Sequence, residues 1–229
     1  MPTVDLAKTS KRELNGALHA LGEKDHGLSW RVDNPAGQHA LACGLDAPVN
    51  IEIVGHVGYY CAGMNKQAKV VVEGNAGVGV AENMMSGLVH VKGDASQSAG
   101  ATAHGGLLVI DGNASARCGI SMKGVDIVVK GSIGPMSAFM AQAGRLVVLG
   151  DAGDALGDSI YETRIYVRGA VKSLGADCIE KEMREEHRAE LRELLDAAGI
   201  GEDVAVDEFR RYGSGRQLYN FHVDNAAAY

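Results

Sequence analysis

The chain is short of most features that mark a deep binding groove, a membrane segment or a disulfide scaffold. Phe, Tyr and Trp together make up 5% of its 229 residues, and there are only four prolines and four cysteines. The cysteines (Cys43, Cys61, Cys118, Cys178) are widely scattered and include no CxxC pair, which argues against a structural zinc or an iron–sulfur cluster and suits a reducing compartment. No apolar run exceeds five residues, far below the roughly 18–20 needed to span a bilayer, and the N-terminus shows no signal-peptide pattern. Positive charge is also in deficit: 22 Lys and Arg against 29 Asp and Glu give a net charge of -7, which disfavours nucleic acid and anionic membranes as partners. A soluble, cytoplasmic protein is expected.

Glycine is abundant, with 31 residues, and its placement is periodic. Gly55, Gly74, Gly93, Gly112, Gly131, Gly150 and Gly169 follow one another at a spacing of 19. Four and two residues before each stand aliphatic pairs: Ile51/Ile53, Val70/Val72, Val89/Val91, Leu108/Ile110, Ile127/Val129, Leu146/Val148 and Ile165/Val167. This alternation is that of a strand with one buried face, so Ile110 is expected inside and Asp111 in water. A period of 19 is too short for a βαβ unit of about 30 residues and too long for hairpins with two-residue turns. The economical solution is an all-β, single-stranded parallel β-helix of about seven coils, rising about 4.8 Å per coil. Short polar residues after each glycine (His56, Asn75, Asp94, Asn113, Ser132, Asp151) suit corners, and the small apolar residue after them points inward.

A stack of identical coils exposes its terminal cross-sections, so the flanking segments are expected to be caps. Three regions result: 1–50 as a helix and loop cap, 51–175 as the β-helix, and 176–229 as a C-terminal helix and tail. Residues 9–22 read as an amphipathic helix with Ser10 as N-cap and Glu13 completing a capping box. Residues 39–44 are expected to form an irregular first strand. Residues 177–198 read as a second amphipathic helix with Gly199 beyond it.

Chemistry is hard to assemble. His56, His90 and His104 occupy different positions in the coil, no HExxH pattern occurs, and the glycines lack the strand, helix start and GK[ST] context of a phosphate loop. Asp151, Asp154, Asp158 and Glu162 spread around one coil and lack the spacing of a calcium loop. No catalytic, cofactor-binding or metal-ligating residue is proposed. Two features do ask for a covering surface. Val71, Val109, Val128 and Val147 form an outward-pointing stripe, to be covered by the terminal helices or by another protein. The tail 208–229 carries five of the chain's eleven aromatic residues and three arginines, the composition of an interface, with Phe209, Tyr212, Tyr219 and Phe221 as anchors.

The runs 72–80 (VEGNAGVGV), 86–94 (SGLVHVKGD) and 103–113 (AHGGLLVIDGN) resemble the GXGXG domain that closes the large subunit of glutamate synthase. Longer stretches at 55–65 (GHVGYYCAGMN), 79–87 (GVAENMMSG), 118–124 (CGISMKG), 173–182 (SLGADCIEKE) and 208–213 (EFRRYG) resemble the stand-alone, GlxC-type GXGXG subunits of N-methylglutamate synthase almost end to end. The resemblance implies a right-handed β-helix and a place in a hetero-oligomer. Its partners would be a glutaminase-like amidotransferase subunit and an FMN-binding, glutamate-synthase-like subunit, and the FMN would belong to the latter. It implies no catalytic residue in this chain. The equivalent subunit of a split glutamate synthase, or of another glutamine-amidotransferase-linked complex, is the alternative.

Overall fold

A computed structural model of the chain describes residues 1–216 and shows a β-solenoid of about seven turns with two α-helices. In chain order the elements are β1 (Thr3–Asp5), α1 (Lys11–His19), β2 (Ser29–Asp33), β3 (Asn50–Val54), β4 (Lys69–Val72), β5 (Leu88–Val91), β6 (Leu107–Ile110), β7 (Lys123–Val129), β8 (Ala143–Val148), β9 (Arg164–Val167), β10 (Cys178–Lys181), α2 (Glu185–Ala197) and β11 (Arg210–Ser214). Strands β1 to β9 pair in sequence order, all parallel, within one eleven-stranded sheet. From β3 upward the register advances by one repeat, as in Ile51↔Val70, Val70↔Val89 and Val89↔Leu108. The ladder begins below the first repeat, because β1 and β2 already lie in it. A second column of parallel bridges, Val57↔Ala76↔Ala95↔Ala114↔Ile133↔Ala152, runs up the coil beyond the glycine corner.

The glycine period has a steric cause. A Cβ on Gly131 would come within 2.5 Å of Asn113 Oδ1 and 2.6 Å of Gly112 O; on Gly150 it would come within 2.5 Å of Ser132 Oγ. The groups in the way are the corner side chains, and each has a task. His56 Nδ1 accepts from Asn75 N–H, and Asn75 Oδ1 from Asp94 N–H. Asp94 Oδ1 accepts from Asn113 N–H, Asn113 Oδ1 from Ser132 N–H, Ser132 Oγ from Asp151 N–H, and Asp151 Oδ1 from Ala170 N–H, all six bonds at 2.7–2.9 Å. A ladder of side-chain caps thus climbs the corner, and only a residue without Cβ leaves room for it. Gly55 starts the series under a different demand, at φ 131 with its missing Cβ 3.0 Å from the Pro35 ring.

The loop opposite the corner holds a second period. Left-handed φ recurs at Tyr60, Ala62 and Met64, then at Gly79, Ala81 and Asn83, then at Ser98, Gly100 and Thr102, and so on up the column. Such angles cost a non-glycine residue about 1–2 kcal/mol each. They persist because the backbone bonds alternate between neighbouring coils: Tyr60 N–H donates upward to Val78 O (2.8 Å), Ala62 N–H downward to Leu41 O (2.9 Å) and Met64 N–H upward to Glu82 O (2.8 Å). Residues 39–44 belong to this kind of loop, with Ala40 and Ala42 at positive φ, and not to the strand expected from sequence.

Both ends are plugged. Helix α1 has the expected capping box, with Ser10 N–H donating to Glu13 Oε2 at 2.9 Å and Glu13 N–H to Ser10 Oγ at 3.3 Å. Its Leu14 and Leu18 are buried in the core of the column. Asn15 stands in for the missing coil beneath: its Nδ2 donates to Ala40 O (2.7 Å) and its Oδ1 accepts from Ala42 N–H (3.0 Å). At the top, β11 inserts antiparallel between β9 and β10, and Tyr212 joins the same core. The second helix is shorter than expected at its start because residues 178–181 pair with β11 as β10.

The clash argument yields a paired test. Gly131→Ala should cost about 1–3 kcal/mol by displacing a hydrogen-bonded cap, a fall of several degrees in melting temperature for a chain of this size. Gly16→Ala, in α1 with nothing within 4 Å of the new Cβ, should stabilise slightly, since alanine is the better helix former. Equal shifts in thermal melts of the two variants would refute the cap-ladder explanation.

Candidate functional site

The outward face of the sheet divides in two. Over its upper half lies α2. Val109, Val128, Val147 and Tyr166 from the strands pack with Leu191, Leu194, Leu195 and Ala198 from the helix side, and Phe209 completes this second core. Tyr166 donates its hydroxyl to Glu190 Oε1 (3.1 Å), which also pairs through its other oxygen with Arg164 (2.8 Å). Burial, reinforced by Glu190, pushes the Tyr166 hydroxyl well above its usual value and keeps it a donor. The first turn of α2 carries Glu185 and Glu186, and His187 Nδ1 accepts from Arg184 N–H (3.2 Å).

Of the two covers expected for the valine stripe, the chain's own helix is the one present, and the interface reading of Phe209 and Tyr212 is corrected. Val109, Val128 and Val147 are covered by the chain's own helix, and Phe209 and Tyr212 are 4% and 2% exposed within the same chain. They are internal packing, with no surface left for another protein. Val71, one member of the expected stripe, is half-buried and lies beyond the helix. Tyr219 and Phe221 lie outside the described residues.

Below α2 the sheet face is polar. His90 Nε2 lies 2.8 Å from Asp111 Oδ1, Lys130 Nζ lies 2.7 Å from the same oxygen, and Lys92 Nζ approaches Asp111 Oδ2 at 3.5 Å. Burial raises the Asp111 carboxyl, but Lys130 and His90 outweigh it and hold the group below the usual carboxylate range. Asp111 is therefore no free solvent-facing acid, as the alternation alone suggested. It binds three successive coils through their side chains. Sequence could not show this, because the partners lie 19 and 21 residues away and their directions follow from the coil register.

Among the described residues the loop face has no helix over it. Tyr59 (53% exposed), Met64, Val78 and Met85 stand out from its lower coils, and Met140 and Tyr161 from its upper ones. His39 stacks on Tyr59 at 3.9 Å between ring centroids, and its Nδ1 accepts from Tyr59 N–H. Tyr60, Asn83 and Thr102 link across three coils, with Asn83 Nδ2 donating to Tyr60 Oη (3.3 Å) and Thr102 Oγ1 to Asn83 Oδ1 (2.7 Å).

None of these groups forms a nucleophile with an adjacent base. Burial pushes the Cys118 thiol up to about 12 and the Cys178 thiol up to about 11, so both stay protonated and poorly nucleophilic near neutrality. Cys61 is wholly buried and shifted in the same direction. Among the described residues no group of three His, Cys, Asp or Glu could hold a metal ion, and no helix is long and apolar enough to cross a membrane. The coil glycines offer no anion cradle, since their N–H groups are bonded between coils: Gly93 to Gly74 O, Gly112 to Gly93 O, Gly131 to Gly112 O and Gly150 to Gly131 O, at 2.9–3.1 Å.

No protein-family model matches the chain. Protein GlxC of Rhizobium meliloti (strain 1021) is 64% identical to it over 229 residues, covering all of this chain and all of that protein. The chain belongs to the GlxC family. The matched span takes in both plugs as well as the coils.

The Asp111 cluster has a pH signature. A carboxyl whose folded value is depressed stabilises the fold above its unfolded value and loses that contribution as pH falls through the folded one. Asp111→Asn should therefore melt below the parent at pH 7, by the amount of one or two partly exposed ion pairs, about 0.2–1 kcal/mol each. The two melting curves should converge as the pH drops below the ordinary carboxylate range. A gap that persists undiminished at low pH would show that Asp111 acts by packing and not by charge.

Proposed function

We propose that this GlxC-type chain is the non-catalytic, structural subunit of N-methyl-L-glutamate synthase, a complex that converts methylamine and L-glutamate to N-methyl-L-glutamate and ammonia. The observation that supports the reading most is the way the repeat is used. The glycines that resemble a nucleotide loop are consumed by coil-to-coil packing, and the buried thiols are protonated. The end-to-end likeness to GlxC agrees with a stand-alone β-solenoid subunit. Chemistry is then the work of separate chains, a glutaminase-like amidotransferase and an FMN-binding, glutamate-synthase-like subunit.

The glycine corner does not fit FMN. Its phosphate would need several convergent free N–H groups or basic side chains, and the corner N–H groups already donate to the coil or cap beside them. The flavin belongs in the partner. This chain contributes a rigid column whose side chains and ends position the catalytic chains in the cytoplasm.

Purified alone, the chain should be colourless and inactive. Mixed with the two proposed partner chains, it should enter one complex that forms N-methylglutamate in a methylamine-dependent reaction, with loss of assembly or activity when it is omitted. Glutamate formation from 2-oxoglutarate without any use of methylamine would instead assign it to a split glutamate synthase. Stoichiometric flavin on this chain alone would overturn the division of labour.

A further inference from the structure

Helix α2 starts without the usual cap. Arg184 holds the N-cap position, and its side chain makes no bond to the first turn. The closing bond comes from inside the helix: Arg184 N–H donates to His187 Nδ1 at 3.2 Å, the back-bond that Glu or Gln makes in an ordinary capping box. A backbone N–H can only donate, so Nδ1 presents its lone pair and the neutral ring carries its proton on Nε2. Protonation makes both ring nitrogens donors and sets one N–H against another.

The surroundings also oppose a charge. His187 is buried, and Arg211 from β11 and Arg164 from β9 face it, while Glu186 and Glu190 face it from α2 itself. Burial, then Arg211, hold the imidazole below its ordinary value against the pull of the two glutamates. Both acids are committed elsewhere. Glu190 accepts from the Tyr166 hydroxyl and pairs with Arg164, and Glu186 lies 3.8 Å from the Arg184 guanidinium. The same turn already gathers further cations, since Arg211 Nε donates to Glu182 O (2.9 Å) and an Arg188 N–H to Met183 O (2.7 Å). One helical turn beyond His187 stands Leu191, which packs with Val147 and Tyr166 in the second core.

We propose that His187 is a proton-sensitive latch on α2: neutral, it closes the first turn of the helix onto the sheet face, and protonated, it releases that turn and uncovers the edge of the second core around Leu191 and Tyr166. The inference concerns this chain alone and does not rest on the proposed complex. A histidine held below its ordinary value supports the closed form fully above about pH 6.5 and loses that support as the pH falls toward the folded value.

The test is hydrogen–deuterium exchange of the full chain at pH 7.5 and pH 5.5, corrected for the intrinsic pH dependence of exchange and read by mass spectrometry. Protection of residues 185–191 should fall several-fold at pH 5.5, up to about tenfold for a ring neutral when closed and protonated when open, while residues 69–72 of β4 keep theirs. His187→Gln accepts the same N–H and does not titrate, so this variant should hold its pH 7.5 protection at pH 5.5. Equal protection of the parent at both pH values would overturn the proposal, as would a variant that loses as much protection as the parent. Should the variant fail to fold, the His187 Cε1–H resonance of the parent decides: it should titrate with a midpoint below about 6.5, and a midpoint at or above that value would defeat the latch.

Discussion

The structure depends on one close approach, that of each coil glycine to the glycine and the capping side chain of the coil beneath. The corner cap must accept an N–H from the next coil, and to do so it occupies the volume in which a Cβ would otherwise stand. Once that contact is fixed, the rise per coil is the strand spacing and the repeat can tolerate no insertion at the corner. The aliphatic columns then follow, because residues two and four before the glycine must face inward in every coil. The left-handed loop angles follow as well. Isolated, each would be unfavourable, but inter-coil bonds above and below leave the backbone no alternative.

The same logic makes the ends expensive, since a coil that has no neighbour has lost half of its backbone partners. The two ends solve this by different means. At the bottom a helix supplies an amide, Asn15, which presents one donor and one acceptor where a further loop would have presented backbone groups. At the top the chain leaves the solenoid, forms α2, and returns as an antiparallel strand that occupies the edge of β9. That return carries Phe209 under the helix and Tyr212 into the column, so one short segment joins both cores.

The repeat was legible because its signals are local and recur. Glycine, the aliphatic pair before it and the polar cap after it lie within six residues, and their recurrence fixes the coil. The helix α1 was legible for the same reason, from the Ser10–Glu13 capping box and the apolar side of Leu14 and Leu18. The closure was not. Nothing in residues 178–181 or 210–214 separates an antiparallel pair from a helix start and an arm, since the pairing joins segments about 30 residues apart. The valine stripe shows the limit most clearly. Val71 and Val109 are the same residue at the same coil position, yet only Val109 is buried under α2, and the difference lies in where the helix packs rather than in either valine. Phe209 and Tyr212 read as interface anchors in sequence because aromatics and arginines look alike in an external and an internal contact.

In a solenoid the backbone is nearly uniform, so individuality resides in side chains that leave the column. On the sheet face most are engaged, the upper ones by α2 and the lower ones by pairs such as Arg31 with Glu52 and the cluster around Asp111. The loop face is different. Its backbone is held, like the rest, by bonds to both neighbouring coils, while Tyr59, Met64, Val78 and Met85 extend from it with no helix above them among the described residues. A rigid base under exposed tyrosine and methionine limits the entropy that association must overcome to the side chains themselves. Among the described residues, the sheet face is thus given over to closing the column, while the loop face keeps its tyrosines and methionines exposed on a fixed backbone.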